Sequence, residues 1–188
     1  MIKAIISDFD GTLVDTFQAN LFAYQKAFRE VGLSISEENY RACFGLRFDD
    51  FMAKVGIQDA ALCTAIKESK RKLYPSFFER LVLNRALIGL IVSFKQLGGK
   101  TAIASTAAKE NLLNAVNYLG IADAFTSICA GMDVKHGKPS PEIYMKTMDI
   151  LNVEPQETLI FEDSDIGIQA AKASGASVMK ITADAFSE

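Results

Sequence analysis

The chain has 188 residues, 49% of them apolar and 23% charged, with a formal net charge of −3. That balance belongs to an ordinary soluble globule large enough to bury a core, and its unclustered lysines and arginines exclude nucleic acid as an expected partner. No run reaches the roughly 18 apolar residues of a membrane span, and Asp8 interrupts the N-terminal apolar stretch too early for a leader. A soluble monomer is expected. Three scattered cysteines, Cys43, Cys63 and Cys129, lack metal-ligand spacing and fit reduced packing residues of a cytoplasmic protein.

Ile2 to Ile6 is an apolar run short enough for a buried parallel strand. It ends in Asp8 and Asp10, followed by Gly11. Residues i and i+2 of an extended chain share a side, so the two acids converge while Phe9 faces away. Paired carboxylates call for a cation or a shared proton, so the pair implies a metal, an acid/base task, or both. Open α/β sheets bind ligands beyond the carboxyl ends of their strands, where both acids fall.

The chain then turns helical. Phe17, Leu21, Tyr24, Phe28 and Val31 form one apolar stripe that Gly32 can end. Ser36 with Glu38 and Asn39 starts a short helix, Asp49 to Val55 predicts another, and Leu62, Ile66, Ser69 and Leu73 align on a longer one that Pro75 breaks. The Lys67-Lys70-Arg71-Lys72 run reads as that helix's wet face. No strand signal occurs in residues 16–83, which predicts an all-helical insertion.

After Asn84 the rhythm becomes helix, strand, helix, strand. Thr101–Ala104 predicts a strand delivering Ser105 and Thr106, and Thr126–Cys129 a weaker one. Ser140 is positioned to cap the next helix, with Pro141 in its first turn. Thr158–Phe161 predicts a buried strand ending in Glu162-Asp163-Ser164-Asp165, and Ala176–Ile181 a last one. Alternation of this kind predicts an α/β fold: a Rossmann-like parallel sheet with helices on both faces, at residues 1–15 and 84–188, interrupted by a helical domain at 16–83. Every strand that reads well ends in polar groups, and all would gather on one sheet edge. Oxygen ligands without cysteine or histidine favour Mg²⁺ over zinc, and Lys138 nearby suits an anionic, phosphoryl-bearing substrate.

Four motifs carry a resemblance. Asp8-Phe9-Asp10-Gly11-Thr12-Leu13-Val14-Asp15-Thr16, Ala104-Ser105-Thr106, Gly137-Lys138-Pro139-Ser140-Pro141-Glu142-Ile143-Tyr144 and Phe161-Glu162-Asp163-Ser164-Asp165-Ile166-Gly167 resemble, in order, the motifs of the haloacid dehalogenase (HAD) superfamily. The helical insertion is similar to the cap of its β-phosphoglucomutase and phosphoglycolate phosphatase branch. The resemblance implies a Mg²⁺-dependent phosphatase acting on a small phosphorylated metabolite through an aspartyl-phosphate. Asp8 would attack phosphorus, Asp10 would act as general acid and then base, and Ser105 and the Thr106 backbone would hold the phosphoryl oxygens. Lys138 would neutralise charge, and Asp8, the Asp10 carbonyl, Glu162 and Asp163 would hold Mg²⁺. Gly11 would allow the sharp turn after the acids. The Lys138–Pro139 bond is a candidate cis peptide, since X-Pro is the only common site for one.

Other positions are read as structural or depart from relatives. Asp15 and Asp165 read as capping or loop residues, Ser164 as structural, and His136 as solvated. A histidine expected near the start of a mutase's first cap helix is matched here by Asn20. Asn20 and Arg47 are the candidate substrate contacts of the cap; Arg47 could equally be a solvated arginine. Phosphonoacetaldehyde hydrolases use a cap lysine that the Phe44–Asp50 loop lacks. The Pro-Gly usual at the second cap hinge is replaced by Leu83-Asn84-Arg85-Ala86, and a final strand and helix of relatives are expected to be missing after Ile181. A β-phosphoglucomutase-like mutase is the alternative reading. A non-catalytic phospho-ligand binding protein is the remote one, disfavoured because both Asp8 and Asp10 are present.

Overall fold

The chain enters through β1 (Ala4–Ser7), whose four residues are all buried, and continues into β2 (Val14–Asp15). Helices α1 (Phe17–Glu30), α2 (Glu37–Arg41), α3 (Phe48–Lys54) and α4 (Ala60–Leu73) follow, then a 3-10 stretch, Tyr74–Arg80. β3 (Val82–Leu83) leads to α5 (Arg85–Gln96), β4 (Lys100–Ala104), α6 (Lys109–Tyr118) and β5 (Ser127–Cys129). The chain finishes through α7 (Glu142–Leu151), β6 (Thr158–Glu162), α8 (Asp165–Ala173) and β7 (Ser177–Lys180). This structure is a computed structural model and describes residues 1–186. It divides into two compact units, Met1–Asp15 with Val82–Glu188, and Thr16–Leu81.

The first unit is built on a five-stranded parallel sheet in the order β5-β4-β1-β6-β7, with helices on both faces. Ala4 pairs with Lys100 on one side and Thr158 on the other, which makes β1 the central strand and explains why its sequence is apolar on both faces. Ala4, Ile6, Ala102, Ala104 and Ile160 pack with Ile143, Met148 and Leu151 of α7 and Ala170 and Ala171 of α8. Burying each large aliphatic side chain contributes about 1.5–3 kcal/mol. Small alanines on β4 and α8 let these helices lie close to the sheet.

Val82 and Leu83 depart from the all-helical reading of 16–83: they pair antiparallel with β2, Val14 opposite Leu83 and Asp15 opposite Val82. Two residues are too short to show a period, so the strand has no sequence signature. Asn84 follows, 2% exposed. Its Oδ1 accepts from Leu87 N at 3.0 Å as the N-cap of α5, and its Nδ2 donates to the Thr12 carbonyl at 3.2 Å. Ser140 also differs from its expected place. Pro141 occupies the cap position of α7, while Ser140 Oγ accepts from Glu142 N at 3.3 Å.

The second unit has its own core of Phe17, Leu21, Phe28, Tyr40, Phe51, Met52 and Ile66. Aromatic edges dominate it: Tyr24 and Phe51 meet at 4.9 Å and Phe17 and Phe44 at 5.3 Å. Ser36 caps α2 through Asn39 N, and Asp59 caps α4 through Ala61 N and Leu62 N. Lys70 corrects the wet-face reading of its basic run. It is 8% exposed, with its ammonium 3.9 Å from the Tyr74 ring centre and 5.2 Å from that of Tyr24. A lysine stem packs as an apolar chain, and two tyrosine faces attract its charge.

Candidate active site

β1 hands the chain to Asp8 at the sheet's centre, where Asp8 N donates to the Phe161 carbonyl at 3.0 Å. A tight loop follows. Gly11 N donates to the Val14 carbonyl at 2.8 Å, and Leu13 N and Val14 N both donate to the Phe9 carbonyl. Gly11 sits at φ +86°, and a Cβ there would run into the Asp163 carboxylate, so both conformation and space demand glycine. Thr12, fully buried, donates its hydroxyl to Asp163 Oδ1 at 2.8 Å.

β4 delivers Ser105 from the neighbouring strand. Its Oγ donates to Asp10 Oδ2 at 3.3 Å and accepts from Ala107 N at 3.0 Å. Thr106 lies beside it, its carbonyl so close to Gly131 that a Cβ on the glycine would collide with it.

The loop ahead of α7 brings in Lys138, next to a cis Lys138–Pro139 bond. Glu142 secures this loop: its carboxylate accepts from Lys135 N at 2.7 Å, His136 N at 2.8 Å and the His136 ring at 3.0 Å. Those bonds hold the Glu142 carboxyl below its usual pKa. Only 3% of the Lys138 side chain is exposed, and its ammonium donates to Asp8 Oδ1 at 2.6 Å and also to Glu162 Oε1. Glu162, at the end of β6, accepts at Oε1 from Tyr144 OH (2.8 Å) and at Oε2 from Ser164 N and Oγ (3.0 and 3.1 Å).

Asp8, Glu162 and Asp163 each offer a carboxylate oxygen within 4.8 Å of the others. Burial, reinforced by Glu162, Asp163 and Asp10, pushes the Asp8 carboxyl well up despite Lys138, and burial lifts Asp163 to about 6. Burial works against the Lys138 charge, but Asp8, Tyr144 and Glu162 outweigh it and keep the ammonium protonated. One ammonium among four acids leaves surplus negative charge. An all-oxygen donor set with that surplus fits a hard divalent cation.

The structure therefore brings together Asp8, Asp10, Gly11, Ser105, Lys138, Glu162 and Asp163, with Thr106 beside Ser105. Asn20 and Arg47 belong to the Thr16–Leu81 unit. Asn20 is buried on α1 and donates to the Thr16 carbonyl at 3.2 Å, and Arg47 is the N-cap residue of α3. Sequence reading missed Thr12, Glu142 and Tyr144 as working side chains. All three lie inside the motifs, but their partners are identified only by folding.

Residues 5–181 match the haloacid dehalogenase-like hydrolase family. A phosphorylated carbohydrates phosphatase of Thermotoga maritima is 29% identical over 180 residues, 93% of this chain and 82% of that protein. A phosphoglycolate phosphatase of Aquifex aeolicus is 28% identical, over 93% and 82% of the two chains. Among solved structures, CbbY of Rhodobacter sphaeroides in complex with phosphate superposes with a TM-score of 0.87 at 27% identity, over 97% and 88% of the chains. β-Phosphoglucomutase of Clostridium difficile does so with 0.83 at 26%, over 99% and 87%. The four motifs in their order, the strand ends on which they meet and a match along nearly the whole chain agree: it belongs to the haloacid dehalogenase-like hydrolases and is a phosphohydrolase.

Proposed function

We propose that the protein is a Mg²⁺-dependent phosphatase of a small phosphorylated carbohydrate or phosphoglycolate-like acid, working through an aspartyl-phosphate on Asp8. The observation that carries this reading is the buried Lys138–Asp8 contact, set among Glu162 and Asp163 with Asp10 alongside at Ser105. Asp8 forms a bond to phosphorus as the bond to the leaving oxygen breaks, and Asp10 gives that oxygen a proton. Water then attacks the acyl phosphate, Asp10 takes its proton, and inorganic phosphate leaves with Asp8 restored. Lys138 offsets the negative charge of nucleophile and phosphoryl group, and Ser105 with the Thr106 backbone orients the oxygens. Asp8, Asp163, Glu162 and the Asp10 carbonyl would hold Mg²⁺, which when bound neutralises phosphoryl charge. The Thr16–Leu81 unit acts as the cap, with Asn20 and Arg47 its candidate contacts to the rest of the substrate.

The metal assignment has a pH signature. The Asp163 carboxyl, normally near 3.8, ionises in the folded chain only at about 6, so the metal-free site holds protons that a cation must displace. A carboxyl raised in this way costs nothing below its unfolded value of 3.8, costs progressively more stability as pH rises from there, and reaches its full cost at about 6. Addition of Mg²⁺ is therefore expected to raise the melting temperature little near pH 4.5 and progressively more through pH 6. A Mg²⁺ effect independent of pH would remove Asp163 from the cation site.

The similarity to β-phosphoglucomutase supports a second reading, a sugar phosphomutase. A mutase must shield its phospho-aspartate from water until the sugar hydroxyl arrives. A titrating histidine on α1 can couple Asp10 to cap closure, whereas Asn20 hydrogen-bonds but cannot titrate. Phosphate release is thus the expected outcome across a panel of phosphorylated metabolites with Mg²⁺. β-Glucose 1-phosphate with a trace of the 1,6-bisphosphate decides between the readings: rapid glucose 6-phosphate without free phosphate would establish the mutase.

A further inference from the structure

Glu162 is 1% exposed, and both its oxygens are engaged by the protein. Ser164, the N-cap residue of α8, supplies two donors to Oε2, while Oε1 is shared between the Lys138 ammonium and the Tyr144 hydroxyl. Lys138 in turn divides its charge between Glu162 Oε1 and Asp8 Oδ1. The division matters because Asp8 and Glu162 compete for one cation. A second donor on Glu162 Oε1 partly neutralises that oxygen and weakens its pull, leaving more of the ammonium's field on Asp8.

Tyr144 is built to hold such a donor still. It is fully buried in the first turn of α7, where its backbone N–H donates to the Pro141 carbonyl. Its ring centre lies 5.0 Å from Lys138 Nζ. The same turn carries Glu142, which ties down the Lys135–His136 backbone, so one helix start fixes the loop of Lys138 and the acid that competes for it.

We propose that Tyr144 is a positioning residue, its hydroxyl anchoring Glu162 so that Lys138 is directed at Asp8 and the phosphoryl group transferred there. This rests on Asp8 being the nucleophile.

Tyr144→Phe keeps the ring and removes only the hydroxyl. With Mg²⁺ present, its kcat is expected to fall about tenfold with KM within about twofold, the scale of one hydrogen bond to a buried charge. Inorganic vanadate, which takes up the five-coordinate geometry of a phosphoryl group in transfer, should bind more weakly by about the same factor, and inorganic phosphate within about twofold of wild type. Because Tyr144 acts through Lys138, a Lys138→Met/Tyr144→Phe double variant should be no slower than Lys138→Met alone. A hydroxyl that merely filled the core would lower the melting temperature without this split. The proposal is overturned if kcat and vanadate affinity both stay within about twofold of wild type, or if the two losses multiply. If the wild-type protein releases phosphate from no monoester, the phosphatase reading falls, and the vanadate comparison by calorimetry still decides the role of Tyr144. Absence of vanadate binding to the wild type overturns both.

Discussion

Lys138→Met is expected to turn over at least about a hundredfold more slowly than the wild type, the usual loss when one preorganised electrostatic donor is removed. The ammonium reaches Asp8 at 2.6 Å from a position almost closed to water, so solvent cannot substitute for it. Methionine fills the stem's volume and isolates the charge as the cause. Stability should respond as well. Removing one partner of a buried ion pair costs about 3–5 kcal/mol, here because Asp8 and Glu162 are left facing each other. Mg²⁺ supplies positive charge to the same cluster, so the melting temperature lost in chelator should be recovered in part by the metal. Steady-state phosphate release and melting curves with and without Mg²⁺ check both statements. A near-wild-type rate would transfer the role to Lys135, which is exposed on the same loop.

Gly167→Ala should disable the site from behind. A Cβ at Gly167 would overlap the Glu162 carboxylate, which Lys138, Tyr144 and Ser164 hold in place by hydrogen bonds to both its oxygens. Overpacking of this kind costs about 1–3 kcal/mol, and moving Glu162 also disturbs Lys138, so activity should fall with stability. Gly89→Ala is the matched comparison. That glycine lies in α5 with nothing within 4 Å of an added Cβ, so the exchange should stabilise by up to about 1 kcal/mol through helix propensity. Equal destabilisation of the two variants in chemical denaturation would refute the placement of Gly167 against Glu162.

The contrast between those glycines shows which parts of the molecule a sequence exposes to reading. β1, β4 and β6 are legible because a buried parallel strand must be apolar throughout, and the acids and hydroxyls at their ends interrupt that run sharply. Asp8, Asp10, Ser105, Glu162 and Asp163 are thus visible as candidate sites along a line, before any distance between them is known, whereas Lys138 stands in a loop and is legible through its motif. Thr12 and Asp163 stand 151 residues apart, and no local pattern says that a threonine hydroxyl will serve that carboxylate. Lys70 misleads for the opposite reason: its neighbours Arg71 and Lys72 are exposed, while the rings of Tyr24 and Tyr74 that shelter it come from other turns. Tyr144 closes the third motif with no role that the sequence assigns, and only the fold turns its hydroxyl toward Glu162.

The two-residue pair of β2 and β3 closes the chain on itself at the point where the helical segment leaves and returns. The helical segment leaves after Asp15 and returns at Val82, and these residues are partners in one ladder. Asn84 fastens the return to the loop that follows Asp8 and Asp10. Both cut ends of the segment therefore lie side by side on the sheet-bearing unit, like the terminals of a socket. A different insert, longer or shorter, could be joined there without altering the register of a single parallel strand. The ladder would hold whatever stood between Asp15 and Val82 while β1 kept Asp8 and Asp10 in place.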